Sequence, residues 1–559
     1  MRAPAGPGSL MLGALRLCVC VALCHFAIVH ALFGEAILNG VRSAAGVVWQ
    51  SATGLGTPAL LDRIVSSETD LVEDIVHSMQ HKSVWKAQGL SMVDGIQYQM
   101  LKHEDYPAYQ LRVKIAAEDE ERFCDPDVKQ ISGYLDIGQD KHLWFILFES
   151  RSNPSKDPLL MWLNGGPGCS SSTGMLFELG PCWVSDKGEG TRPNEWAWNS
   201  NANLLFLDQP VQVGYSYTDS DSLVDTSAAS AADVYAFLQL FLARFPDYAE
   251  LPFHIAAESY GGQYAPHIGA EIHRRNKETN MSDKVGPIHI PLTSLMIGNG
   301  LSEPQIQFAS IPEFACSPKN KYHVFEEGSE ECTSLQSKSD TCQKLMEKCE
   351  RLDNRLICVP TALFCWGALY APVQALGVNM YDLRRKCDRE VDGDLCYPEM
   401  GYMEILMNKP HVKSQLGVPS QVTFQSCNMK VNQAFMLQGD SMIDAAALLP
   451  PLLEDGIRVL VYAGEADFMC NAIGNHDWVV DFPNTFHDEI ANATKTPLFM
   501  RSVNGAKPAR AGWVIKAGEG AGNLAYAWIN EAGHMVPHDQ PQVALSMLNK
   551  WLANKALTE

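Results

Sequence analysis

Basic residues are scarce in this chain. Its 559 residues hold 43 Lys and Arg against 65 Asp and Glu, a formal net charge of -22. That balance repels nucleic acid and anionic membrane surfaces, so neither is an expected partner. Beyond the N-terminus no stretch of 18 uninterrupted apolar residues occurs, so no membrane association is expected once a leader is removed. No internal repeat and no low-complexity tract is present, which excludes a repeat array. None of the clustered cysteines forms a C-x-x-C pair, so no zinc site is expected, and no metal or cofactor is implied.

What is present is a globular composition, 46% apolar and 19% charged, at a length that suits one large α/β domain with insertions. Arg2 and Arg16 precede "LCVCVALCHFAIVHA", which ends in Val29-His30-Ala31 with small residues at signal-cleavage offsets. Residues 1–31 are therefore expected to be a signal peptide; the alternative, an uncleaved anchor, has a short apolar core. Three of the 16 cysteines, Cys18, Cys20 and Cys24, lie in that leader. Eight others fall irregularly between Cys316 and Cys396, a pattern that in a secretory chain predicts disulfides. The odd number left after the leader implies at least one free thiol.

Residues 32 to about 122 read as a mixed, partly helical stretch ending in the acidic run "AAEDEERF". Strand signals follow it: "ISGYLDIG", "HLWFILFE", "PLLMWLNGG", "NLLFLDQP", "FHIAAES", "SLMIGNG", "RVLVYAGEAD" and "AYAWINEAGH", short apolar runs that mostly stop at Gly, Asp or Asn. Helical patterns separate several of them. "DTSAASAADVYAFLQLFLARFP" offers Asp225 as cap, Phe237, Leu240, Phe241 and Phe245 on one face, and Pro246 as terminator. "PQVALSMLNKWLANK" puts Val543, Met547, Leu548 and Trp551 on one stripe. Such alternation predicts an α/β fold with a mainly parallel central sheet. Between Gly300 and about Thr423 the alternation breaks into a cysteine-rich helical stretch, expected as an inserted cap over the carboxyl edge of the sheet.

The stretch "HIAAESYGGQYAPHIGAEI" raises the chemical question. Ala257-Glu258-Ser259-Tyr260-Gly261 approximates the G-x-S-x-G turn on which α/β hydrolases carry a nucleophile, and on its own it fits a plain turn serine as well. Pro266 predicts that the following helix bends or restarts there. Context favours the nucleophile. Downstream, "RVLVYAG" ends in Glu465-Ala466-Asp467 and "AYAWIN" is followed by His534, the Ser, acid, His order of that fold. Ser259 would attack, His534 would move its proton, and Asp467 would orient the imidazole. Asp208 precedes the serine and reads as structural, while His267 and His538 read as surface residues. "WLNGGPGCSS" supplies backbone donors, with Gly166 and Tyr260 the natural oxyanion pair; no G-K-[ST] follows, so this is not a phosphate loop.

Together, "WLNGGPGCSS", "ESYGG", "VLVYAGEADFMCNAIGN" and "GHMVP" resemble four signature blocks of the serine carboxypeptidases, over about Leu111 to Leu552. The resemblance implies an α/β-hydrolase fold with a helical, disulfide-rich cap, and assigns Ser259, Asp467 and His534 to the triad. It implies that Trp162, Asn164, Gly165, Glu178 and Glu258 bind the carboxylate of the substrate. Two glutamates facing a third carboxylate must hold a proton, which predicts acidic operation. It further implies a pocket for the departing residue from Thr173, Phe177, Tyr381, Tyr397, Met400 and Met535. Leu301, Phe308, Ile311, Met469 and Cys470 would line the pocket before the scissile bond. Most of these are apolar, so hydrophobic residues should be preferred.

The expected organisation is signal 1–31, pro-region 32–116, core 117–300, cap 301–423 and core 424–559, with "YQLRVKIAAED" resembling the end of a family pro-region that would be cut between about Val113 and Arg122. Spacing and resemblance suggest the pairs Cys169–Cys427, Cys316–Cys332, Cys342–Cys365, Cys349–Cys358 and Cys387–Cys396. Cys124 and Cys182 are the remaining pair and Cys470 the free thiol. Asn280 and Asn492 head N-x-S/T sequons and are candidate glycan sites. Peptide and protein substrates in a vacuole- or lysosome-like compartment, or outside the cell, are expected. The alternatives are an acyltransferase using the same triad and a non-catalytic partner protein; retention of both Glu178 and Glu258 favours the peptidase.

Overall fold

Continuous apolar runs that stop at Gly, Asn or Asp are the raw material of a parallel sheet buried on both faces. They become that sheet here. The strands are β1 (Trp85–Val93), β2 (Ile96–His103), β3 (Gln110–Lys114), β4 (Gln130–Ile137), β5 (Lys141–Phe148), β6 (Leu159–Leu163), β7 (Cys182–Ser185), β8 (Gly190–Pro193), β9 (Asn203–Leu207), β10 (Tyr217–Thr218), β11 (Phe253–Glu258), β12 (Leu292–Gly298), β13 (Arg458–Gly464), β14 (Thr496–Phe499), β15 (Arg510–Ala517) and β16 (Leu524–Ile529). The structure, a computed structural model, describes residues 85–103, 110–114, 121–138, 140–278, 287–352, 354–393, 395–499 and 509–558. The expected signal, most of the expected pro-region and the Asn280 sequon lie outside the described residues.

The main sheet runs β1-β2-β3-β4-β5-β9-β6-β11-β12-β13-β16-β15-β14, with β10 beside β5. Its centre, from β9 through β16, is parallel, and every residue of β6, β9, β11 and β13 is buried. The flanks are antiparallel. This is an α/β-hydrolase fold, and it sets the carboxyl ends of β6, β11, β12, β13 and β16 in one row.

The N-terminal stretch differs from the sequence expectation. Its described part is strand rather than helix. Asp94 and Gly95, at φ 50° and 77°, form a two-residue hairpin between β1 and β2. At the start of β2 the side chains alternate, with Ile96 and Tyr98 buried and Gln97 exposed, and Leu101 on the other face is buried too. β3 pairs antiparallel with β4, and the Arg112 guanidinium donates to both carboxylate oxygens of Asp136 at 2.9 and 2.6 Å. Residues 110–114, inside the expected pro-region, thus belong to the sheet.

Among the helices, α1 (Ser227–Arg244) starts one residue later than expected. Thr226 is its cap, accepting from Ala229 N at 3.2 Å, because the Asp225 carboxylate is taken by the Gln438 amide. Phe237 and Phe241 pack against Phe145 on β5. α2 (Gly261–Glu278) runs through Pro266 without restarting. Proline removes the N–H that would reach the carbonyl of Gly262. Ser302 Oγ donates to that carbonyl instead, at 3.0 Å, so the helix continues.

Among the described residues no strand occurs between β12 and β13, so the helical excursion runs past Thr423 as far as Arg458. It contains α3 (Glu330–Leu352) and α4 (Arg355–Gln374), joined by Cys342–Cys365 and Cys349–Cys358. Helix α4 is long and apolar enough to cross a membrane, but these two bridges hold it against α3. Cys316–Cys332 and Cys387–Cys396 lie in the same excursion, Cys169–Cys427 ties it to the loop after β6, and Cys124–Cys182 lies in the core. Cys470 is unpaired and buried. α5 (Pro541–Leu552) closes the chain with Val543, Met547, Leu548 and Trp551 buried.

Ser302→Ala should destabilise the protein by about 1–3 kcal/mol by leaving a buried carbonyl unmet. In that background Pro266→Ala, which restores the helical N–H, should recover part of the loss. Urea unfolding of the two variants and their double mutant measures the coupling.

Candidate active site

Ser259 follows β11 with φ at 63°, a left-handed conformation that costs a non-glycine residue energy and lifts its side chain out of the strand-to-helix turn. Ala257 stands where the usual pattern has glycine, and the packing explains why it fits. A Cβ on Gly261 would lie 2.7 Å from the Ala257 Cβ, so the missing side chain of Gly261 makes room for Ala257. The turn is anchored by Ser259 N donating to Gly298 O and Leu301 N donating to Ser259 O.

Asp467 lies three residues beyond β13 and is fully buried. It accepts from His534 Nδ1 at 2.7 Å, Asn299 Nδ2 at 2.8 Å, Met469 N at 2.9 Å and Cys470 N at 3.2 Å. A carboxylate only accepts, so the His534 proton sits on Nδ1 and leaves Nε2 as a base. Nε2 is buried and has no partner among the described residues. Two further residues hold this pair: Asn299, which sequence reasoning missed, and Tyr381, expected only as a pocket residue. Asn299, in the "IGNG" turn after β12, also accepts from Gly464 N at 3.0 Å, pinning the end of β13. Tyr381 accepts His534 N on its carbonyl at 2.7 Å and packs its ring edge-on against the imidazole at 5.1 Å.

Beside Ser259 a second buried cluster forms. Trp162 Nε1 and Gly174 N donate to Asn164 Oδ1 at 2.7 and 2.8 Å, and Asn164 Nδ2 faces Glu178 Oε1 at 2.9 Å and Glu258 Oε1 at 3.4 Å. Glu178 sits on a π-helical turn, Gly174–Glu178. Glu178 and Glu258 are 0% and 2% exposed, which decides their chemistry. Burial raises both carboxyl pKa values, and Glu258 is pushed up further by the charges of Glu178 and Asp467. Adjacent carboxyls in such a place cannot both ionise, so the pair keeps a proton.

The loop after β6 closes over the serine. A Cβ on Gly165 would stand 2.3 Å from Tyr260 N, so only glycine allows this approach. Neither Gly166 N nor Tyr260 N has a protein acceptor among the described residues, and the Tyr260 hydroxyl is anchored by donating to Asp440 at 2.7 Å.

The expected pocket residues divide. Phe177, Tyr397, Met400 and Met535 share one buried cluster. Thr173 is buried on the turn before Phe177. His538 is half-buried rather than free on the surface: its ring stacks on Phe177 at 3.9 Å, and Nδ1 donates to the Phe177 carbonyl at 3.0 Å. His267 is half-buried, donating to Gln263 O within its own helix. Tyr381 and Met469 line a cavity of about 540 Å³ beneath α4. Phe308 and Ile311 are fully buried and Leu301 nearly so, and Phe308 packs against Trp366 and Tyr370, which face that cavity. Cys470 is buried too, and burial raises its thiol pKa. Asp208 accepts from Ser170 Oγ and from Ser171 N and Tyr215 N, and burial lifts its pKa to about 7, a structural role. Asn492 is exposed.

Residues 121–554 match the serine carboxypeptidase family, Peptidase S10. The chain belongs to this family. It is 42% identical over 451 residues to "Carboxypeptidase Y homolog A" of Emericella nidulans, covering 80% of this chain and 77% of that one. The homologue of the same name from Uncinocarpus reesii is 40% identical over 489 residues, 86% of this chain and 84% of that one. Among solved structures it resembles Kex1(delta)p, a prohormone-processing carboxypeptidase from Saccharomyces cerevisiae, with a TM-score of 0.65 and 25% identity over 80% of this chain and 92% of that one. The protein is thus a serine carboxypeptidase, a hydrolase acting on peptide and protein substrates, and the six disulfides among the described residues fit folding in the secretory pathway.

Gly165→Ala forces a methyl group into the backbone after Ser259. Turnover of ester and peptide substrates should both fall by about 100-fold or more, the scale of a lost oxyanion donor. Steady-state kinetics on both substrate types, with unfolding checked in parallel, measures it.

Proposed function

We propose that the protein releases C-terminal residues, preferably hydrophobic ones, at acidic pH through an acyl-enzyme on Ser259. The observation that carries this reading is the buried Asn164, Glu178 and Glu258 cluster beside the nucleophile. A terminal carboxylate entering it meets the Asn164 amide and the carboxyl proton of the glutamate pair, which fixes the last peptide bond over Ser259. Ser259 Oγ then attacks the carbonyl carbon as its proton passes to His534 Nε2. Gly166 and Tyr260 N–H groups hold the oxyanion. The C–N bond breaks, the amine takes the proton from His534, and water deprotonated by the same nitrogen hydrolyses the ester. Asp467 keeps His534 oriented and balances its transient charge.

Apolar side chains at Phe177, Met400, Met535 and Met469 support a hydrophobic preference. The reading places the enzyme in an acidic secretory compartment, synthesised as a precursor cut between Val113 and Arg122. Because residues 110–114 are paired with β4, that cut would fall at or just beyond the end of β3, beside the Arg112–Asp136 ion pair.

Ser259→Ala should lower kcat by several orders of magnitude without unfolding the protein, since the triad acts as a unit; hydrolysis of blocked dipeptides tests it. The pH dependence has a definite sign. Both glutamate pKa values are raised, so the binding proton is present at acidic pH and is lost as pH rises through those raised values. Above them KM for free-acid peptides should climb by about tenfold per pH unit, while amidated peptides stay flat. Glu258→Gln, a donor that does not titrate, should flatten the free-acid profile. Coincident profiles for free-acid and amidated peptides would remove the carboxylate-binding role.

A further inference from the structure

The cavity of about 540 Å³ lies between helix α4 and the loop closed by Cys387–Cys396. Two of its lining residues adjoin the Asp467–His534 pair: Tyr381, whose ring packs edge-on against His534, and Met469, whose N–H donates to Asp467. The carboxylate end of the substrate site is closed by Asn164, Glu178 and Glu258, all at most 4% exposed. A peptide whose last residue is held there continues upstream of the scissile bond. Met469, expected in the pocket before that bond, sets this cavity on the acyl side, with Tyr381, expected in the pocket for the departing residue, at the boundary between the two.

Its walls are mostly apolar and aromatic, with Trp366 tilted against Tyr370 at 4.5 Å and Met380 beside them. One charged side chain lines it, Arg389, with no carboxylate among the lining residues. Of the neighbouring acids, Glu390 is exposed, while Asp388 and Asp392 accept from the backbone. Asp388 Oδ1 accepts from Glu390 N at 3.1 Å, and Asp392 Oδ2 accepts from Asp388 N at 2.9 Å. Among the described residues the guanidinium makes no ion pair; its contact is the side-chain amide of Gln374 across the cavity wall. The Arg389 side chain is solvent-exposed where it lines the cavity, so its N–H donors can meet a charged group that enters.

We propose that this cavity is a subsite for an acidic side chain in the acyl portion of the peptide, within two residues of the scissile bond, with Arg389 as its ligand. The proposal rests on the carboxypeptidase reading above, which sets the direction of the chain. The aromatic wall buries the methylene stem of a glutamate, as apolar surface does for any long charged side chain. The planar fork of Arg389 then takes the carboxylate through two parallel N–H donors. Arg389 is a specificity determinant and takes no part in bond breaking.

The test uses blocked tripeptides with a constant hydrophobic C-terminal residue and Glu or Gln at each of the two acyl-side positions. They are assayed at low ionic strength near pH 6, where a peptide glutamate is ionised. The native enzyme should show a Glu-over-Gln ratio of kcat/KM of about three- to tenfold at one position, carried by KM and shrinking with added salt. Arg389→Gln should bring that ratio to about one while leaving the Gln peptide unchanged, which also shows that the variant is folded. Arg389→Lys, a charge without the fork, should retain part of the preference. Equal constants for Glu and Gln peptides in the native enzyme, or an equal loss on both in Arg389→Gln, overturn this inference alone. Failure of the native enzyme to hydrolyse any of the peptides overturns the carboxypeptidase reading and the subsite with it.

Discussion

Strands β6 and β11 run parallel and end side by side, and the site depends on how closely the turns beyond them can approach. Two glycines allow it. A Cβ on Gly165 would strike Tyr260 N at 2.3 Å, and one on Gly174 would strike the Trp162 indole nitrogen at 2.0 Å. With those side chains absent, Asn164 lies between Trp162, Glu178 and Glu258, and the Gly166 amide lies on the same loop as the residue that crowds Tyr260 N. A single spacing therefore serves both tasks of the proposed mechanism, gathering donors for an oxyanion and bringing the carboxyl pair beside the serine.

The three buried carboxyls of this site are treated differently by their surroundings. Asp467 receives four donors, which suits a charged acceptor that must never leave its place. Glu258 receives one long contact from Asn164, and its second oxygen has none. Burial without donors favours the neutral acid. The difference lies in the backbone. The turn after β13 offers its own N–H groups to Asp467, while Glu258 closes β11 with its N–H committed to the sheet.

Much of this was legible beforehand because it lives in local pattern. Apolar runs ending at Gly, Asn or Asp marked eight strands of the sheet, and the order of Ser259, Asp467 and His534 followed from chain order on this fold. What stayed hidden depends on contacts distant in sequence. Asp225 and Thr226 are equally good caps until Gln438 claims the aspartate. His538 reads as a surface residue until α5 packs and lays it over Phe177. Nothing in "IGNG" announces that Asn299 brackets the acid, and Pro266 predicts a broken helix unless Ser302 is known to reach Gly262. The β1–β2 hairpin is different: Asp94-Gly95 between alternating residues was a readable turn that a helical reading passed over.

The cap is more than a cover. Its segment Met380 to Arg384 threads between the loops that carry Asp467 and His534. The Met380 carbonyl accepts from Phe468 N and Met469 N, the Tyr381 carbonyl accepts from His534 N, and Leu383 N donates to Ala466 O. The Arg384 guanidinium then joins Asp382 of the cap to Asp539 beyond the histidine, each at 2.7 Å. The loops that carry the acid and the base are thus hydrogen-bonded to the cap as well as to each other. A cap that swung away as a lid would break these contacts and release His534 from its position. Disulfides that join α3 to α4 and tether the excursion to the loop after β6 oppose such a swing.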